Sequence, residues 1–268
     1  MTATASPRIA ASPRDRGGLI APRSALAKLG TGFLLSIPLV LTLDVVSASV
    51  ALVLGVGLIV CSGLTAREFF LRTIPIWIAA PGAGITLALY GKPSGEVHFH
   101  WGLMQITDGS LELALATMLR LFAIGLPAIA VFASIDPTDL ADGLTKRLHL
   151  PARFVLGALA GMRLLGLLTD DMRALGRARR ARGVADSGRV RRAFQTAFAL
   201  FVLAIRRGSK LAMAMEARGF GGPGKRTFSR EVPFAGADWA LMGVGAAISA
   251  IALAAAVATG EWRFVLTM

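Results

Sequence analysis

The residues best placed to do chemistry are two arginines set in the same tripeptide, Ala181-Arg182-Gly183 and Ala217-Arg218-Gly219. Each tripeptide follows a long helical pattern. Arginine before glycine is ordinary helix-end chemistry, with the glycine taking the left-handed cap and the arginine complementing the helix dipole. An exposed guanidinium on such a tip also offers a rigid, planar fork of donors that suits a carboxylate in a partner's groove. Arg179 and Glu216 stand beside the tips as supporting groups. The chain is rich in Ala, Arg and Gly, so the bare tripeptide says little. Its repetition at the ends of two long helices says more.

Other residue sets fall short of a reactive site. His98 and His100 flank Phe99 and could give two metal ligands, but no third is evident, which leaves solvated loop histidines. Asp139-Leu-Ala-Asp142-Gly143-Leu-Thr-Lys146-Arg147 resembles the start of the membrane CDP-alcohol phosphotransferase motif. That chemistry needs further aspartates along the next helix to hold metal ions. The region 156–164 has no acid and Lys146 replaces an alanine, so Asp136 or Asp139 is read as capping a short helix. No Gly-x-x-x-x-Gly-Lys-Ser/Thr loop is present, so ATP, if used, is used by another chain. Arg120 lies within an apolar run; a structural pair with Glu112 or Asp44 is expected ahead of substrate contact.

Two helices must carry the tips. The first opens near Pro151, and Phe154, Ala158, Gly161, Leu165, Leu168, Met172 and Leu175 form one apolar stripe. The next stripe positions are Arg179 and Arg182, so the packing face turns basic where the helix ends. Gly157 and Gly161 permit close helix contact. The second helix is expected over 193–218, with Phe194, Phe198, Phe201 and Ile205 on its stripe and an apolar run too short to span a bilayer. It is read as an interfacial helix packed against the first. Gly221, Gly222, Pro223 and Gly224 prevent its continuation.

Around this pair the chain is a membrane protein. It is 54% hydrophobic over 268 residues, with mean hydropathy +0.63 and clustered apolar runs. The net charge of +13 is read as cytoplasmic retention of basic loops rather than nucleic-acid binding. Residues 135–236 hold 19 of the 29 Lys and Arg but 8 of the 16 acids. With the single Cys61 no intrachain disulfide can form. The expected fold is all-α: about five transmembrane helices plus a module of long amphipathic helices on the cytoplasmic side. Residues 1–23 form a disordered cytoplasmic tail, 24–134 four spans, 135–236 the module, 237–260 the last span and 261–268 a tail. Glycines 55, 57 and 63 allow close packing of the second span. The third span, 74–90, is expected to be short and broken by Pro75 and Pro81, after an interfacial helix at 65–72. Residues 91–108 form a polar outer loop.

At this point the chain resembles a known family, the transmembrane T component (EcfT family) of energy-coupling factor (ECF) transporters. The resemblance covers about residues 23–260. It rests on Ala21-Pro22-Arg23, Asp136-Pro137-Thr138-Asp139-Leu140, Leu150-Pro151, the Arg177–Gly183 motif and Ala214-Met215-Glu216-Ala217-Arg218-Gly219-Phe220. It implies that Arg182 and Arg218 dock into grooves of two cytoplasmic ABC-type ATPases, which bind the ATP and Mg; the chain itself binds no cofactor and is not an enzyme. It also implies a small membrane S component that captures a vitamin or metal ion, and residence in a prokaryotic cell membrane with N-terminus and coupling module cytoplasmic. The competing readings are a self-sufficient carrier, which would usually show internal repeats and a polar path, and an ordinary ABC permease subunit.

Overall fold

The computed structural model describes residues 18–91, 94–101, 104–183, 188–222 and 234–260. They fall into two compact units, one formed within Met1–Leu140 and Pro233–Met268, the other within Ala141–Val232.

The first unit holds α1 (Ala25–Val40), α2 (Val45–Cys61), α3 (Ala66–Tyr90), α4 (Asp108–Phe132) and α8 (Gly236–Ala258). Hydroxyl and carboxyl caps start the helices: Ser24 for α1, Asp44 for α2, Thr65 for α3 and Thr107 for α4. Helix α4 packs on α1, α2 and α3, and α8 packs on α1 and α2. Leu35, Leu39, Ala51, Leu58, Ala123, Val131, Ile248 and Ala252 fill the centre. Without a hydrophobic drive between helices in lipid, close approach depends on small residues. A side chain at Gly55 would run into the Pro127 ring, and one at Gly245 into Thr31. Gly57 meets open space instead, and Gly63 serves a turn with φ +70°. The outward faces are apolar, as lipid requires; Val60 and Ile78 are exposed.

Helices α3, α4 and α8 are each long and apolar enough to cross a membrane, and α1 and α2 are shorter apolar helices. Helix α6 (Ala152–Ala181), in the second unit, also meets that measure of length and composition. This is an all-α, multi-pass membrane protein.

Three expectations are corrected. The third span is one unbroken 25-residue helix that absorbs both Pro75 and Pro81 and leaves no separate helix at 65–72. A break would strand more backbone N–H and C=O groups in lipid than the prolines themselves do. The polar segment between α3 and α4 contains an antiparallel hairpin, β1 (Val97–Trp101) with β2 (Met104–Thr107), with a register shift between Val97 and Phe99. Arg120 pairs with neither Glu112 nor Asp44. Its Nη1 donates to the carbonyls of Val40 at 3.3 Å and Thr42 at 3.1 Å. The Val40 carbonyl is the last of α1 and the Thr42 carbonyl lies in the turn after it, where helical acceptors run out of intrahelical donors. The cation therefore caps α1 from the side.

Helix α5 (Pro137–Lys146) follows, and Asp136 is its cap: Oδ1 accepts from the Thr138 and Asp139 amides at 2.7 and 3.3 Å. The second unit is built on α6 and α7 (Arg189–Ala217). Helix α7 starts at Arg189 rather than Ala193, because its arginines continue the helix as readily as apolar residues do.

Candidate docking site

Three polar bonds set the direction of α6 against α7. Arg179 Nη1 donates to Thr196 Oγ1 at 2.9 Å. Arg207 Nη2 donates to Asp171 Oδ1 at 2.9 Å, and its Nη1 lies 2.6 Å from Oδ2 as an ion pair. Arg153 Nη2 donates to the Gly221 carbonyl at 3.2 Å. Residue numbers fall along α6 as they rise along α7, so the helices run antiparallel. The end of α6 lies beside Thr196. The end of α7 is 22 residues further along, which at 1.5 Å per residue puts the two tips roughly 30 Å apart.

The tips share one backbone design. Arg182 closes α6 with φ −91° and ψ 5°, and Arg218 closes α7 with φ −90° and ψ 11°. Gly183 and Gly219 follow at φ +67° and +77°, a region that only glycine enters cheaply. The Gly183 amide donates to the Arg180 carbonyl at 3.1 Å, and the Gly219 amide to Glu216 at 2.8 Å. After α7, the Phe220 amide also reaches the Met215 carbonyl at 2.9 Å, completing a Schellman end. Space around both glycines is open to 4 Å. Ala181, Arg182, Ala217, Arg218 and Glu216 are all exposed. Among the described residues neither Arg182 nor Arg218 makes a side-chain hydrogen bond or ion pair. Arg179 is different: it is half-buried and bridges to α7.

The packing stripe is only partly the expected one. Met172 and Arg179 do line the groove between the helices, a cavity of about 440 Å³ shared with Arg180, Arg192, Ala193 and Thr196. Further back, α7 is met by Leu156, Leu159, Arg163 and Leu167, on another side of α6. Crossing helices touch along a face that rotates, so a single straight stripe cannot serve the whole length. Phe154 and Leu165 are left exposed, and a Cβ at Gly157 or Gly161 would meet nothing within 4 Å. On α7, half-buried Thr196, Leu200, Leu203, Arg207 and Leu211 face the partner helix. The expected stripe points away from it, with Phe194, Phe198 and Phe201 exposed at 74%, 70% and 62%.

Among the described residues no three His, Cys, Asp or Glu side chains gather to hold a metal ion. The His98 and His100 side chains lie outside the described residues, as do residues 1–17 and 261–268.

The model of the CbiQ family, described as cobalt transport protein, matches residues 22–229, and so takes in both tips. The chain belongs to this family. Curated CbiQ/EcfT relatives carry the name energy-coupling factor transporter transmembrane protein EcfT. That of Limosilactobacillus fermentum is 30% identical over 188 residues, 66% of this chain and 70% of its own length. That of Brevibacillus brevis is 28% identical over 209 residues, 73% and 76%. That of Exiguobacterium sibiricum is 28% identical over 232 residues, 82% and 88%. As an EcfT-family T component the chain is a transmembrane, non-catalytic part of an ECF transporter. Pattern reading placed the ends of both helices but missed the bridges at Asp171–Arg207 and Arg179–Thr196, for which charge spacing across two helices gives no signal.

Proposed function

We propose that the chain is the energy-coupling scaffold of an ECF importer, with Arg182 and Arg218 docking into grooves of two separate cytoplasmic ATPases. The observation that carries this reading is the pair of like-built, unpartnered arginine tips at opposite ends of an antiparallel helix pair. At roughly 30 Å, from the helical rise, they are too far apart for one groove. With no partner among the described residues, both guanidinium forks are available to an outside carboxylate or carbonyl. The ATPases bind ATP and Mg; this chain passes their motion on. Residues 135–236 act as the coupling module, and it and the N-terminus face the cytoplasm of a prokaryotic cell.

The exposed phenylalanine face of α7 supports a second contact, with a small membrane S component that captures a vitamin or metal ion. An exposed apolar face of that size on a membrane protein calls for an apolar partner. The test is co-purification. Detergent-solubilised chain should bring down two ATPase subunits, and Arg182→Glu with Arg218→Glu should abolish this. Substrate transport by the purified chain alone would overturn the scaffold reading in favour of a self-sufficient carrier.

A further inference from the structure

The chain leaves its first compact unit after Leu140 and re-enters it at Pro233. Just inside both crossings, buried charges tie the backbone to one short segment, Ile20–Lys28. The Lys28 ammonium, 2% exposed, donates to the Ser134 carbonyl at 3.0 Å and to the Ala21 carbonyl at 2.9 Å. Ser134 immediately precedes the outgoing crossing. At the return, the Asp238 carboxylate, 3% exposed, accepts from the Ala235 amide at 3.0 Å through Oδ2 and from the Ser24 amide at 2.9 Å through Oδ1. The same segment reaches α2, because the Ile20 amide donates to the Cys61 carbonyl at 3.3 Å.

Burying a charge is costly, and an apolar side chain of the same length would often serve stability as well. A methionine could fill the Lys28 seat. It could not donate to the Ala21 carbonyl and to the Ser134 carbonyl, 106 residues away in sequence, at once. An alanine could start α8, but it could not hold the amides of Ser24 and Ala235 together, a link across 214 residues. The bond to Ala235 is the local capping box of α8; beyond it, Asp238 reaches the Ser24 amide and Lys28 the Ser134 carbonyl, both far away in sequence.

We propose that Lys28 and Asp238 are positioning residues for energy coupling. They make Ile20–Lys28 a clasp that pins both crossings to α1, α2, α4 and α8. Motion received by the second unit then moves those helices together and is not lost as slack at Ser134–Leu140 or at Phe234–Ala235. The coupling role rests on the scaffold reading above; the clasp itself does not.

The chain alone, in lipid nanodiscs, gives the first test by hydrogen exchange. In Lys28→Met the amides of 135–140 should exchange about tenfold faster, the loss of one charge-assisted bond. In Asp238→Asn those of 24–27 and 235–240 should do so. In both, the α2 interior, 48–58, should be unchanged. Lys28→Arg, which keeps the donors, should restore protection at 135–140. A uniform rise along the membrane helices, or unchanged crossings, overturns the clasp. The second test uses the full complex with ATPases and S component. Lys28→Met should raise the ATP used per substrate imported, at an unchanged ATP turnover; an unchanged ratio overturns the positioning role. If the parent chain itself recruits no ATPase, the scaffold reading fails and the coupling role with it, while a selective exchange change would still establish the clasp.

Discussion

Truncating the two tips, Arg182→Ala and Arg218→Ala, tests the docking geometry most directly. Neither guanidinium has a partner among the described residues, and both are exposed, so the fold should lose almost nothing. Surface changes of this kind stay within about 0.5 kcal/mol. Binding should lose much more. A hydrogen bond to a charged group contributes about 1.5–3 kcal/mol, which is roughly 10- to 100-fold per tip. Sites separated by more than about 7–10 Å, without shared partners, act additively. At roughly 30 Å apart by the helical rise, the tips qualify, and the double variant should bind about 10²- to 10⁴-fold more weakly. The assay is surface-immobilised chain in nanodiscs with the ATPase pair in solution, beside thermal unfolding of the same samples. Arg→Lys at either tip should fall between parent and alanine, since a lysine keeps the charge and loses the fork. Two results would refute the reasoning: a double variant within about threefold of the parent, or one no weaker than either single variant, which would put both arginines in one groove.

Three further outcomes follow from the same geometry. Gly219→Ala forces a side chain to φ +77° in otherwise open space, so it should cost about 1 kcal/mol, fray the last turn of α7 and weaken ATPase capture several-fold, read by thermal unfolding and pull-down. Asp171→Ala and Arg207→Ala break a partly exposed bidentate bridge, with side chains 20% and 36% exposed; a double-mutant cycle on the unfolding of the helix pair should give a coupling of about 1 kcal/mol. Arg120→Met leaves the Val40 and Thr42 carbonyls, at the end of α1 and in the turn after it, without their donor. It should lower stability in detergent by about 1–3 kcal/mol, read by denaturant unfolding, while the transported substrate stays the same.

What could be read in advance divides along physical lines. Local signals carried far. Apolar length gave the membrane helices, and the glycines after Arg182 and Arg218 gave both helix ends, because left-handed caps depend on residues adjacent in sequence. Signals that depend on which helix lies opposite did not carry. The Phe194–Ile205 stripe was real, yet α7 turns its Thr196–Leu211 side to α6 and leaves the phenylalanines outside. Arg120 was a conspicuous charge with the wrong partners assigned, since acids attract attention and the carbonyls ending α1 are invisible in sequence. Lys28 precedes the first apolar run, and nothing in its sequence surroundings marks it as buried. Its burial comes from carbonyls that only the fold brings near. Proline marked breaks in α3 that the membrane environment overrode.

The cap that Arg120 places on α1 also fixes where the bilayer must give way. Helices α1 and α2 have 16 and 17 residues, about 24 to 26 Å of rise, against a hydrocarbon core of about 30 Å. The turn between them, at Leu41–Asp44, is held by a side chain near the middle of α4, and Ile37, Val40 and Leu41 around it are exposed. On that flank lipid must thin by a few ångströms to keep the turn at the polar surface, at a fraction of a kcal/mol per ångström. Within the first unit α1 and α2 are the short helices, so acyl-chain length is a variable that this flank should feel first.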